Sequence, residues 1–178
     1  MEPSSPNNIL LQSYWASDPV STTENSVETM ITKIVSGGQT GVDRAGLDVA
    51  LALQIPCGGW CPKGRLAEDG VIPDDYPLTE TPSERYDQRT EWNVRDSEGT
   101  LVINMGELSS GTLYTVQKAK ALKKPFLVAQ VDQEMDCGAI NEWFEEHDIQ
   151  ILNIAGPRQS KYPDIYLKAK NFLMELLR

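Results

Sequence analysis

Residues Ser36–Gly46 read "SGGQTGVDRAG" and stand between an apolar run, "ITKIV" at 31–35, and "LDVALAL" at 47–53. The first flank has strand character, and in the second Leu47, Ala50, Leu51 and Leu53 recur at helical spacing, so the segment reads as strand, loop and helix. Gly37, Gly38 and Gly41 permit a tight turn and a close approach of backbone N–H groups to a ligand. The start of the following helix adds a field that favours negative charge. The loop is therefore an expected anion cradle built from backbone. It is not a P-loop, because no Gly-Lys-Ser/Thr closes it.

Outward from this stretch the chain keeps alternating. Strand one covers 31–36 and helix one 43–54, and a short strand two is expected at 57–61. A polar, turn-rich segment, "PKGRLAEDGVIPDDYPLTETP" at 62–82, follows and is longer than an ordinary connector. A helix at 83–97 with Ser83 as N-cap, a buried strand at 100–104 and a helix at 112–123 come next. Strand 126–131, helix 138–147, strand 149–154 and a terminal helix at 163–177 complete the series. This alternation predicts an α/β chain, Rossmann-like and doubly wound, with a mainly parallel sheet of about five strands and helices on both faces. Residues 1–29, which contain no Lys or Arg, read as a flexible N-terminal tail carrying an apolar patch, "ILLQSYW" at 9–15, and 30–178 as the domain.

A chain of 178 residues has room for one such domain. Its net charge of −10 argues against a broad footprint for nucleic acid and against adhesion to an anionic membrane. No apolar run approaches the roughly 20 residues that span a bilayer, and no leader is visible, so a cytoplasmic protein is expected. Three cysteines cannot all pair, and Cys57, Cys61 and Cys137 with His147 lack the spacing of a zinc set. Free thiols and no structural zinc or other metal site are expected.

In an open parallel sheet the loops at the carboxyl ends of the strands form the ligand crevice. The first offers Gly37, Gly38, Gln39, Thr40 and Gly41. The segment after strand two offers Lys63 and Arg65, cations in an acidic protein. "SSGT" after strand three offers Ser110, Gly111 and Thr112 before a helix, and "NIAGPRQSKYPD" after strand five offers Gly156, Arg158 and Ser160. Arg158 can present a planar fork to a phosphate or oxyanion. On the helix at 83–97, Tyr86, Arg89, Thr90 and Asn93 share a face, and Arg89 and Asn93 are placed to line the crevice. No acidic residue stands at the tip of strand two to bind an NAD ribose. No Ser-His-Asp set appears. Asp43 and Glu68–Asp69 are candidate acid/base groups, with service to the helix N-terminus as the alternative for Asp43, and the catalytic residues stay unassigned.

The runs "SGGQTGVDRAGLDVALAL", "GGWCPKGRLAEDGVIPDDYPLTETPS", "YDQRTEWNVRDSEGTLVI", "GTLYT" and "NIAGPRQSKYPDIY" together resemble the family called "Putative molybdenum carrier". That family is related to molybdenum cofactor carrier proteins and, more widely, to the lysine-decarboxylase-like LOG proteins. The resemblance covers about 31–178 and implies the fold already inferred. It also implies a protein that binds and carries molybdenum cofactor, a molybdopterin-type phosphorylated ligand, or the free molybdate oxyanion. Lys63, Arg65 and Arg158 would then serve the anion, molybdoenzymes would be recipients, and a homo-oligomer is implied. LOG-type relatives are nucleoside monophosphate hydrolases whose second loop resembles Pro-Gly-Gly-x-Gly-Thr-x-x-Glu. Here Thr115 stands where that glutamate would be, so a non-enzymatic carrier ranks ahead of a nucleotide-processing hydrolase.

Overall fold

The computed structural model describes residues 30–178; the tail at 1–29 with its "ILLQSYW" patch lies outside the described residues. In chain order the elements are β1 (Lys33–Val35), α1 (Val42–Ala52), β2 (Cys57–Gly58), β3 (Trp60–Cys61), β4 (Leu66–Ala67), β5 (Gly70–Val71) and β6 (Thr79–Glu80). Then come α2 (Tyr86–Arg95), β7 (Gly99–Asn104), α3 (Ser110–Ala121), β8 (Phe126–Gln130), α4 (Cys137–Glu146), β9 (Ile151–Ala155) and α5 (Ile165–Leu176). Five strands form one parallel sheet in the order β2-β1-β9-β7-β8, a Rossmann-like α/β arrangement. The last strand of the chain thus occupies the centre, between β1 and β7, and brings its own carboxyl-end loop between theirs.

Alternation along the central strands separates the two faces of the sheet. Leu101 and Ile103 of β7 and Leu152 and Ile154 of β9 join Val42, Ala45, Val49, Phe144, Ile165, Phe172 and Leu173 from α1, α4 and α5 in the main core. The opposite face meets α2 and α3 and holds buried polar groups as well, including a hydrogen bond from Asn153 Nδ2 to Thr100 Oγ1 (3.2 Å). Helix α4 begins at Asp136, whose carboxylate accepts from the N–H groups of Gly138 and Ala139, an N-cap that satisfies two orphan donors.

Two local expectations need correction. The run 57–61 is not one strand. It kinks at Gly59, with φ of 131°, where an added Cβ would lie 2.2 Å from the Ser36 carbonyl oxygen. Beyond the kink Trp60–Cys61 leaves the sheet and pairs with Thr79–Glu80. Helix α2 is capped at Arg85, not Ser83. Ser83 stays outside because its N–H donates to Gln88 Oε1 and its hydroxyl accepts from Arg85 N, an arrangement that spends it on the approach to the helix.

The long segment between β3 and α2 is organised by Arg65, which lies inside it. Its guanidinium donates to the carbonyls of Ile72 (3.0 Å), Leu78 (3.2 Å), Pro73 (2.7 Å) and Tyr76 (2.9 Å). Ile72 drops into the body and is fully buried. Two carboxylates then bind the segment to the neighbouring loops. Asp69 pairs with both terminal nitrogens of Arg44. Glu68 accepts from the Thr40 hydroxyl and from the N–H and hydroxyl of Ser160, while its own N–H donates to Gln39 Oε1 (2.9 Å).

Burial pushes the Glu68 carboxyl up, but the bonds from Ser160 and Thr40, with Arg158 nearby, outweigh it and hold the group below its ordinary value. A depressed carboxylate contributes stability that is fully present above its ordinary pKa of about 4.5 and is lost as pH falls through the folded value. The denaturation midpoint of wild type should therefore exceed that of Glu68→Gln above about pH 5, and the gap should close as the pH is lowered below about 4. A gap independent of pH would show that the charge is not what Glu68 contributes. In the core, Ile154→Ala should cost about 2–5 kcal/mol in urea unfolding, because Ile154 is fully buried in the central strand.

Candidate functional site

Three loops meet at the carboxyl ends of β1, β9 and β7, and the starts of α2 and α3 close over them. The result is a cleft of about 370 Å3 lined by Gln39, Asp43, Tyr86, Asp87, Arg89, Thr90, Ser109–Thr112, Tyr114, Thr115, Ala155–Arg158 and Lys161. Beneath the β1 loop Asp43 and Arg89 form an ion pair of 2.9 Å with side chains 3% and 13% exposed. Gly37 makes the pair possible: an added Cβ would lie 1.8 Å from Arg89 Nη1. Burial pushes the Asp43 carboxyl above its ordinary value, and Arg89 together with the Gln39 N–H pulls back only part of the way. Arg89 Nε is buried without a partner among the described residues.

Several amides in and after the β1 loop have acceptors in the protein. Gln39 N donates to Asp43, Thr40 N to Gln39 Oε1, Val42 N to the Pro157 carbonyl and Arg44 N to the Gln39 carbonyl. Gly38 packs against Leu78 and Ile72, and Gly41, with φ of 80°, lets the backbone of Pro157–Gln159 approach within van der Waals distance. These glycines serve contacts between the protein's own segments. Of the loop's amides, those of Gln39, Thr40 and Val42 are engaged, whereas those of Gly37, Gly38 and Gly41 have no hydrogen-bond partner among the described residues.

The start of α3 adds further unpaired donors. Ser109 occupies its N-cap without a side-chain cap, and the N–H groups of Thr112 and Leu113 turn back to the Ser109 carbonyl. Those of Ser110 and Gly111 have no partner among the described residues. Ser110 holds φ at 22°, a conformation that non-glycine residues seldom adopt, and Gly111 faces open space. Lys161 reaches the Ser109 hydroxyl from the β9 loop. Arg158, with a side chain 53% exposed, stands 3.8 Å from Glu68. Two unpaired helix-terminal amides and two cations thus border the same cleft, an arrangement suited to an anion.

Of the residues singled out in the sequence, Gln39, Arg89, Ser110, Gly111, Thr112, Gly156 and Arg158 line this cleft. Thr40, Gly41 and Ser160 line a neighbouring depression with Asp48, Tyr76 and Tyr166. Gly37 and Gly38 are buried within the loop and do not line the cleft, Lys63 is exposed away from it, and Arg65 is spent on its four carbonyls. Asn93 is also spent, accepting from the Trp60 N–H and donating to the Trp60 carbonyl, so it does not reach the crevice. Sequence reasoning passed over Lys161 and Tyr114. Lys161 follows Arg158 by three residues in the same loop, and Tyr114 stands one helical turn beyond Ser110, signals that were there to use. Cys57, Cys61 and Cys137 are free thiols, and no cluster of three metal-ligating side chains occurs among the described residues. No helix there is long and apolar enough to cross a membrane.

Comparison with curated proteins gives no match. A solved crystal structure from Syntrophus aciditrophicus SB, of a protein called "Putative molybdenum carrier protein", is similar at 49% identity with a TM-score of 0.81, covering 84% of this chain and 96% of that one. The model of the circularly permutated YpsA SLOG family matches residues 34–177. A sheet whose centre is filled by the last strand of the chain fits that description, and the chain belongs to the circularly permutated YpsA SLOG family.

Proposed function

We infer that this protein binds and carries a phosphorylated or oxyanionic small molecule, of which molybdenum cofactor of the molybdopterin type, or molybdate itself, is the cargo. The observation that carries the reading is the convergence of the free Ser110 and Gly111 amides with Arg158 and Lys161 at one cleft. An acidic chain has no general attraction for anions, so this local concentration of donors stands out against its surroundings. The name of the Syntrophus protein points to the same class of cargo. Transfer to molybdoenzymes belongs to the reading as a consequence of a carrier role, and a homo-oligomer belongs to it by resemblance to cofactor carriers.

The competing reading, a nucleoside monophosphate hydrolase, is weaker. Its expected carboxylate position is Thr115, whose hydroxyl donates to the Gly111 carbonyl (3.0 Å) and serves the helix. Asp43, the carboxylate on the cleft floor, is committed to Arg89. Titration of molybdenum cofactor and of AMP into the protein, with chromatography of the products, separates the two. Cofactor binding without release of free base supports carriage, and release of adenine from AMP sinks it.

Arg158 is the side chain on which affinity should depend most, since it is exposed and has only a loose ion pair to give up. Arg158→Ala should weaken binding of the anionic ligand by about ten- to a hundredfold in calorimetry, equivalent to about 1.5–3 kcal/mol. Arg158→Lys should restore part of this, because a point charge lacks the planar fork. Unchanged affinity in Arg158→Ala would place the anion elsewhere.

A further inference from the structure

An oxyanion alone would leave most of this cleft unfilled. A bare tetrahedral oxyanion carries only four oxygens, far less than a cleft of about 370 Å3 can hold. The remainder is bordered by two tyrosines on different helices. Tyr86 opens α2, is 42% exposed and lines the cleft. Tyr114 lies on α3 four residues beyond Ser110, about 6 Å further along its axis, and lines the same cleft.

Each ring has a cation of its own helix beside it. The Arg89 guanidinium carbon lies 5.8 Å from the Tyr86 ring centre, and Lys118 Nζ lies 5.3 Å from that of Tyr114. Each cation is three or four residues along the same helix from its ring. The two helices are in turn joined by the Lys118–Glu91 ion pair, 2.8 Å long. These contacts restrict the two helices and their rings, which lowers the cost of ordering them on binding.

Resting on the anion-binding reading above, we propose that Tyr86 and Tyr114 form a stacking platform for a planar nitrogen heterocycle joined to the anionic group, so that the cleft selects ring-bearing phosphates over bare oxyanions. The phosphate end sits at the α3 terminus with Arg158 and Lys161. The ring lies against the tyrosine faces, where stacking rewards any flat π-system and adds to the apolar area removed from water.

Guanosine 5′-monophosphate and ribose 5-phosphate are the probes, because they share a sugar phosphate and differ by the ring. Calorimetric titration should give at least tenfold tighter binding for the nucleotide, with molybdate weaker than the nucleotide as well. Tyr86→Leu and Tyr114→Leu should each reduce nucleotide affinity about ten- to a hundredfold and leave ribose 5-phosphate unchanged, which also shows that the variants fold. Tyr86→Phe and Tyr114→Phe, which keep the ring, should retain most of the preference. Equal affinity for the two probes, or leucine variants that weaken both alike, would overturn the platform. If ribose 5-phosphate binding persists and is lost in Arg158→Ala, the anion site survives that failure. If neither probe nor molybdate binds wild type, the platform and the anion site fall together.

Discussion

A carboxylate and a guanidinium taken out of water together must be matched closely, because neither can be left without its partner. The pairing of Asp43 with Arg89 is such a case, and much of the site is arranged around it. Asp43 belongs to the first turn of α1 and Arg89 to the second turn of α2, so the bond docks α2 against the loop that follows β1. Removing one partner of a pair buried in this way would leave an uncompensated charge, typically a loss of about 3–5 kcal/mol. The same bond explains Gly37, the one residue type that leaves room for the guanidinium. It also fixes Arg89, which in turn lies near the Tyr86 ring. A single ion pair thus links the glycine loop, the α2 helix and the mouth of the cleft.

The outer wall depends on a second set of charges. Glu68 gathers Thr40 and Ser160, and Asp69 holds Arg44, so the segment organised by Arg65 is bound to the β1 and β9 loops together. These are mostly hydrogen bonds to charged groups, worth more than neutral ones, and they concentrate at the junction of three segments. The consequence for the cleft is a division of labour. Arg44 and Arg65 are consumed in shaping the wall. Arg158 and Lys161 remain at its open edge, and Arg158 is left with Glu68 as a distant counter-ion.

The elements were legible in the residues for a physical reason. Helical stripes such as Leu47, Ala50 and Leu51 are local, and α1, α3, α4 and α5 fall within two residues of the spans read from them. The strand order was not legible. Placing β9 between β1 and β7 depends on pairing between Lys33 and Ile151, far apart in the chain, and on the packing of Gly46 against Ile154. Site residues show the same boundary. The face carrying Tyr86, Arg89 and Thr90 followed from helical spacing, but Asn93 on that face is occupied by Trp60. Arg65 has the charge and loop position of a ligand-binding residue, and only the four carbonyls around it reveal that its donors are engaged. Residue type announces which groups can bind an anion; the hydrogen-bond account decides which are free to do so.

That account also separates this loop from the nucleotide loops it resembles in composition. In a phosphate-binding loop the amides must point at the ligand, and a glycine is there to let the ligand come near. Here Gly37, Gly38 and Gly41 admit Arg89, Leu78 and the Pro157 backbone instead, and the amides of Gln39 and Thr40 have acceptors in the protein. The loop therefore acts as a foundation, holding the β9 loop and α2 at the right separation. Free amides stand at the α3 terminus as well, where Gly111 faces open space and Ser110 holds an unfavourable φ. A ligand that bonded to those amides would satisfy donors that the fold leaves unpaired, and it would meet the positive ends of Arg158 and Lys161 in the same step. The glycine-rich stretch matters to binding because it positions that helix's neighbours.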